Sequence, residues 1–213
     1  FISLDGAKDR QKRFEETDFK LFSAVDGRLM SHDQAECQKM VSYWNIKGTD
    51  QHLCKVGCFM SHLTILENIV LNDLSNVLIV EDDALQVNDL PKIVDLPRDS
   101  ITYFGGYIAN KKITSREKFV IDHKEGLNIL EDKYRMLTTL AYFVPNAQIA
   151  KQIVTKLKLL KRWRAIDISL PEVLDKKYYW YPARFLEEPF KSTIRPTKSE
   201  FANEHFKLAR CKV

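Results

Sequence analysis

Cysteine is scarce in this chain. Four residues in 213 do not make a disulfide framework, and a reducing compartment is the simpler reading. No CxxC knuckle occurs. His52, Cys54, Cys58 and His62 do read H-x-C-x3-C-x3-H, and zinc could use those ligand types. Cys58 and His62 fall four apart on one face of an expected helix, so buried or idle thiols are preferred. No stretch approaches eighteen consecutive apolar residues, and no secretory leader is visible. The expectation is therefore a cytoplasmic protein without a membrane-spanning segment. Charge of one sign does not dominate. Against 29 acidic residues stand 33 basic ones, a net charge of +4. That is too mild for a nucleic-acid binder and suits an anionic small-molecule ligand. Internal repeats, low-complexity segments and a clear domain linker are also missing.

What is present is an alternation of strands and helices. Phe1–Leu4 is a short apolar run expected as a first strand, ended by Asp5-Gly6. A charged helix is expected over 8–17, and a second strand over Leu21–Val25, closed by Asp26-Gly27. Ser31 with Gln34 forms a capping box for a helix near 32–41. Residues 45–56 are polar and read as loop. From Gly57 to about Asn72, Phe59, Leu63, Leu66, Ile69 and Val70 keep helical period. Val77–Val80 has no polar break, so it reads as a central strand covered on both faces. Residues 84–99 look irregular, and Ile101–Phe104 looks like a strand ending at Gly105-Gly106. Residues 110–135 read as a polar excursion over the active-site face. Leu137–Val144 reads as a strand, followed by a helix from Pro145-Asn146 to about Arg164. Asp167 opens a short helix to Leu174, Tyr178–Pro182 is strand-like, and a loosely packed tail follows Pro196. The pattern predicts an α/β sandwich with a central, mostly parallel mixed sheet. One domain over 1–213 is expected. A monomer is expected.

The chemistry concentrates in Glu81-Asp82-Asp83, directly after the apolar strand. Ligands of open α/β sheets sit at the carboxyl ends of strands. Adjacent hard oxygen ligands suit Mg²⁺ or Mn²⁺, which also bind diphosphate. Three crowded carboxylates repel one another, and a divalent cation removes that cost. In an extended segment Glu81 and Asp83 share a side while Asp82 points elsewhere. The bland alternative is a solvated loop.

Several segments, in order, resemble glycosyltransferase family 25, which includes lipooligosaccharide and procollagen galactosyltransferases. Ile2-Ser3-Leu4-Asp5 with Asp9-Arg10 and Arg13 resembles its "I-N-L-D…R…R" pattern. Ser23–Gly27 resembles "A-x-D-G", and Val56–His62 resembles "G-x-x-G-C-x-x-S-H". Val77–Asp83 resembles "L-I-L-E-D-D", Leu140–Val144 an "A-Y-x-x" strand, Ile166-Asp167 a later Asp motif, and Ser192-Thr193-Ile194 a closing "S-x-I". Ser3 stands where the family has Asn, and Lys55-Val56 where it often has Gly-Glu. Compact glycosyltransferases of large DNA viruses are also similar to this Lys-rich chain, which would place it in a host cytoplasm.

The resemblance implies a GT-A fold, with a nucleotide-sugar half (1–105) merged with an acceptor half (106–213), a UDP-sugar donor, Mn²⁺ (or Mg²⁺) and inverting transfer to a glycan or glycoprotein. Asp83 is assigned to metal, helped by Glu81 or Asp82, and Asp167 is nominated as general base. The plainer role for Asp167 is a helix N-cap. Ser3, Asp5 and Arg10 are nominated for uridine and phosphate contacts, and Ser61 and His62 for the donor pocket. Phe104–Gly106 would let backbone approach a ligand, and Tyr142, Tyr179, Trp180 and Tyr181 could stack on sugars; ordinary turn and core roles compete. A basic stretch from Lys151 to Arg164 surrounds Ile153, Leu157, Leu160 and Trp163. It is read as a solvated face over a packed stripe, with peripheral membrane contact as the alternative. Two rival functions remain. A sugar nucleotidyltransferase would carry a Gly-rich loop after the first strand, where Asp5-Gly6-Ala7-Lys8 holds one Gly. A non-catalytic glycan-binding module would not need Asp167.

Overall fold

The computed structural model describes residues 1–31, 33–34, 50–110 and 123–187. The body of the expected helix near 32–41, the centre of the 110–135 excursion, Ser192-Thr193-Ile194 and the tail beyond Pro196 lie outside them.

The first strand, β1 (Ile2–Ser3), pairs in parallel with β2 (Phe22–Ser23). Between them lie α1 (Lys8–Gln11) and a 3-10 turn over Lys12–Phe14, shorter than the helix expected over 8–17. β3 (Val77–Val80), β9 (Ala141–Val144), β5 (Thr102–Tyr103), β10 (Tyr178–Tyr181) and β7 (Gly126–Ile129) form the central sheet in that spatial order. Ile2 bridges Glu81 in parallel, so β1 and β2 continue the sheet beyond β3. β1, β2, β3, β5 and β10 therefore run one way, and β9 and β7 run against them. The sheet is mixed, as expected, and draws strands from both nominated halves; the expectation that it is mostly parallel is corrected, since β3–β9, β9–β5 and β10–β7 pair antiparallel and β5–β10 parallel.

Two strand pairs flank it. β4 (Ala84–Gln86) pairs with β11 (Phe185–Glu187), and β6 (Tyr107–Asn110) pairs with β8 (Tyr134–Leu137), both antiparallel. β4, β6, β7 and β11 fall in segments read as irregular, polar or not assigned. They are short, and each finds its partner only through distant chain.

Helix α2 (Asp50–Leu71) begins seven residues before Gly57, so part of the presumed 45–56 loop is helical. Its Val56, Phe59, Leu66 and Ile69 are almost fully buried against α3 (Ala147–Leu159), α4 (Ile166–Val173) and the sheet. By length and composition its segment His52–Leu71 could cross a membrane, contrary to the sequence expectation, yet 56% of it is buried within the protein. Asn146 caps α3, accepting from Ile149 N at 3.0 Å. Buried Ile149, Ile153 and Leu157 put the apolar stripe of α3 into the core, while Lys156 and Lys158 pair with Asp175 and Glu67 outside. The stripe is therefore not available for the membrane contact considered above. The capping-box bonds are present: Ser31 Oγ accepts from Asp33 N and Gln34 Oε1 from Ser31 N.

Candidate functional site

Two glycines fix the mouth of the site. A Cβ on Gly27 would lie 1.8 Å from the Leu53 carbonyl oxygen. One on Gly57 would lie 2.5 Å from Gly27 N and 2.6 Å from Val25 O. The Asp26-Gly27 turn thus rests backbone-to-backbone on α2, a closeness only glycine permits. Ser61 fastens the same junction. Its Oγ donates to Gly57 O and accepts from Val25 N, both at 2.8 Å. Ser61 lines the cleft, but its hydroxyl is spent on the scaffold rather than offered to a ligand.

The cleft between β1, the β2 turn, α2 and the end of β3 is lined by Ser3, Arg10, Ser61, His62 and Glu81-Asp82-Asp83. The described residues enclose about 130 Å³. A drug-sized ligand needs several hundred Å³, so a nucleotide sugar would reach past them. Asp5 is not brought in; it accepts from Ser23 Oγ at 2.7 Å at the surface.

The three carboxylates have three environments. Asp82 turns inward, accepting from Arg10 Nη1 at 2.8 Å and Ser3 Oγ at 2.7 Å. Ser3, Arg10 and Asp82, nominated separately, are one hydrogen-bonded unit. Glu81 Oε1 faces His62 Nε2 at 3.1 Å and accepts a short hydrogen bond from Thr139 Oγ1. Burial pushes the Glu81 carboxyl up, but the His62 and Thr139 bonds hold it below the usual range on balance. Its Oε2 has no hydrogen bond among the described residues. Asp83 Oδ1 is sealed from solvent and accepts nothing among the described residues. Burial first, then the charges of Glu81, Glu187 and Asp82, push the Asp83 carboxyl well above its ordinary value. An orphaned carboxylate oxygen beside a second hard oxygen donor fits a divalent cation.

Behind them His62 is almost fully buried, with Nδ1 2.9 Å from the Tyr142 hydroxyl. Its Nε2 faces both Glu81 Oε1 at 3.1 Å and Thr139 Oγ1 at 3.2 Å, so the ring links the Tyr142 hydroxyl to the Glu81 carboxylate. Sequence reasoning missed Thr139 and Glu187. Glu187 ends β11 opposite Ala84 and accepts from the Tyr107 hydroxyl at 2.7 Å. Only the pairing of β11 with β4 puts it near Asp83, which no local pattern signals.

Asp167 is not an N-cap. It sits in the first turn of α4, whose N-cap is Ala165, and its Oδ2 lies 3.4 Å from Thr138 N. It is close enough for its charge to help raise the Cys58 thiol, after burial and Glu81. Tyr142 and Tyr179 are core residues rather than free sugar platforms, while Trp180 and Tyr181 are half-buried. Gly105 permits close approach, but to the Phe185 backbone of β11: a Cβ there would lie 2.8 Å from Phe185 O.

The model of glycosyltransferase family 25 (LPS biosynthesis protein) matches residues 1–170. The chain belongs to that family. It is 27% identical over 206 residues to the probable inactive glycosyltransferase 25 family member 3 of Bos taurus, covering 84% of this chain and 33% of that protein. It is 26% identical over 138 residues to the inactive family member 3 of Homo sapiens, covering 59% of this chain and 22% of that one. Similarity to procollagen galactosyltransferase 2 of Mus musculus is 28% over 99 residues, covering 39% of this chain and 15% of that protein. The chain thus spans a third or less of these relatives' length.

Proposed function

We propose that the chain is a metal-assisted glycosyltransferase that moves a sugar from a UDP-sugar to a hydroxyl of a glycan or glycoprotein, with inversion. The observation that carries this is Asp83 Oδ1, a buried, unpartnered carboxylate oxygen beside Glu81 at the carboxyl end of β3. Family membership supports the class of reaction. Asp83 and the open Oε2 of Glu81 would hold Mn²⁺ or Mg²⁺, which supplies Lewis-acid neutralisation of the leaving diphosphate. His62 and Thr139 orient Glu81 through Oε1. The Arg10–Asp82–Ser3 unit shapes the floor at the end of β1 and offers the Arg10 charge to phosphate. The acceptor oxygen attacks the anomeric carbon as the bond to the diphosphate oxygen breaks and UDP leaves. Asp167 is assigned the acceptor proton; its place in the first turn of α4 near Cys58 supports this role.

The names of the bovine and human relatives favour a second reading, a nucleotide-binding domain without turnover. One experiment separates the two. UDP release is followed with UDP-galactose, Mn²⁺ and denatured procollagen, an acceptor chosen from the murine relative's name, alongside thermal shifts with UDP and Mn²⁺. The transferase reading expects release and a raised Tm, with Asp83→Ala losing both and Asp167→Asn losing only release. A shift without release for any donor supports the second reading. No shift with any nucleoside diphosphate rejects both.

A further inference from the structure

We infer that Cys58, His62 and Glu81 form a binding site for a thiophilic divalent cation, Zn²⁺ being the natural occupant. It is distinct in chemistry from the hard site at Asp83. One donor atom of each residue lies within 4.8 Å of the others. Thiolate, imidazole and carboxylate are the donor types that zinc accepts. Magnesium and manganese are matched instead by oxygen ligands.

Three features give the cluster the anatomy of a metal site. First, it is reachable, since Cys58, His62 and Glu81 all line the cleft. Water from the cleft completes a tetrahedron, leaving an open position. Second, its scaffold is rigid. Cys58 and His62 stand four residues apart on one face of α2, and Glu81 directly follows β3. Third, the outer support exists. Metal-bound histidines hand their other ring proton to an oxygen, and the Tyr142 hydroxyl lies 2.9 Å from Nδ1. Thr139 does the same for the carboxylate through Oε1.

Occupation rearranges protons in a defined way. A metal binds imidazole through a bare nitrogen, so in the occupied site Nε2 carries no proton and Nδ1–H donates to the Tyr142 oxygen. Cys58 releases its thiol proton to solvent and binds as thiolate. Sulfur closes to about 2.3 Å from the metal and nitrogen to about 2.0–2.1 Å, an inward movement of the donors. The sequence spacing suggested His52 and Cys54 as fellow ligands; the fold replaces them with Glu81, from a different element.

Because Glu81 belongs to both sites, zinc here displaces it from the Asp83 cation. That consequence alone rests on the proposed transferase reading. The binding test does not, for it reads no activity. Metal-free protein is titrated with Co²⁺ as a spectroscopic stand-in, then with Zn²⁺ by equilibrium dialysis. The expected result is a near-ultraviolet thiolate-to-cobalt band that zinc abolishes. Cys58→Ser loses the band and binds zinc more than about tenfold more weakly, and Cys54→Ser keeps both. On the unaltered protein, zinc should also protect Cys58 from iodoacetamide, read peptide by peptide, so the test survives if Cys58→Ser does not fold. Absence of the band in unaltered protein, its persistence in Cys58→Ser, or equal alkylation of Cys58 with and without zinc would overturn the site.

Discussion

Replacing Asp83 by Asn should stabilise the metal-free protein at neutral pH. Oδ1 is sealed from solvent and unpartnered among the described residues, and three further carboxylates raise its proton affinity. Asn keeps a buried polar atom at this place and removes only the charge, whose extra cost over a neutral unpaired group is taken as about 1–3 kcal/mol. In a domain of this size that corresponds to a rise in Tm of about 2–12 °C. The pH dependence fixes the cause. A carboxyl whose folded pKa is raised binds its proton more tightly folded than unfolded. The contribution of Asp83 to wild-type stability is therefore greatest below the unfolded aspartate pKa, about 4. It falls as pH climbs from there through the raised folded value. The advantage of Asp83→Asn should vanish below about pH 4 and grow across that window. Calorimetry in chelator, over a pH series, measures this. Saturating Mn²⁺ should then reverse the order, since a hundredfold excess over Kd stabilises only the binding form by about 2.7 kcal/mol. A variant no more stable than wild type at neutral pH, or a gap that does not close in acid, would refute the reasoning.

Other substitutions probe the scaffold and the support. Gly57→Ala drives a Cβ into the Gly27 and Val25 backbone, which cannot swing aside; a loss of about 3 kcal/mol or more in urea unfolding is expected. Arg10→Met takes the guanidinium from Asp82 and leaves it the Ser3 hydroxyl, in a pair whose side chains are only 14% and 13% exposed, so about 3–5 kcal/mol should be lost on denaturant titration. Thr139→Val removes one donor from Glu81 and should cost about 1–3 kcal/mol and weaken Mn²⁺ binding by calorimetric titration. Because that donor helps hold the Glu81 carboxyl down, the pH above which Mn²⁺ binds should also move upward.

The parts of this fold that announce themselves in sequence are those with strong local period. Val77–Val80 is a strand at its expected bounds, and Phe59, Leu63, Leu66 and Ile69 do face the core. β4 and β11 have no such signal, because each is three residues long and gains its identity only from the other. The site was legible at the level of motifs. A-x-D-G and G-C-x-x-S-H were read as separate signatures, whereas they are two sides of one contact at Gly27 and Gly57. Alternation along the acidic triplet presumes an extended chain, whereas 81–84 is a turn closed by Ala84 N donating to Glu81 O at 3.1 Å; Asp82 differs from Glu81 and Asp83 in its partners, not by strand alternation. Alternation could not reveal that Asp82 turns back to Ser3 and Arg10, because those partners lie more than seventy residues away. The pattern puts Asp167 at a helix start, but the helix begins one residue earlier, at Ile166 with Ala165 as N-cap, so its carboxylate lies inside the first turn beside Thr138 N.

The central claim is that Asp83 and Glu81 hold a divalent cation that in turn holds a nucleoside diphosphate. Room-temperature electron paramagnetic resonance of Mn²⁺ with UDP tests it most directly, because free Mn²⁺ alone gives the sharp signal. Adding the protein to Mn²⁺ and UDP should reduce that signal further than UDP alone does, and Asp83→Ala should restore it. An unchanged signal with wild type, or equal loss with Asp83→Ala, would contradict the account.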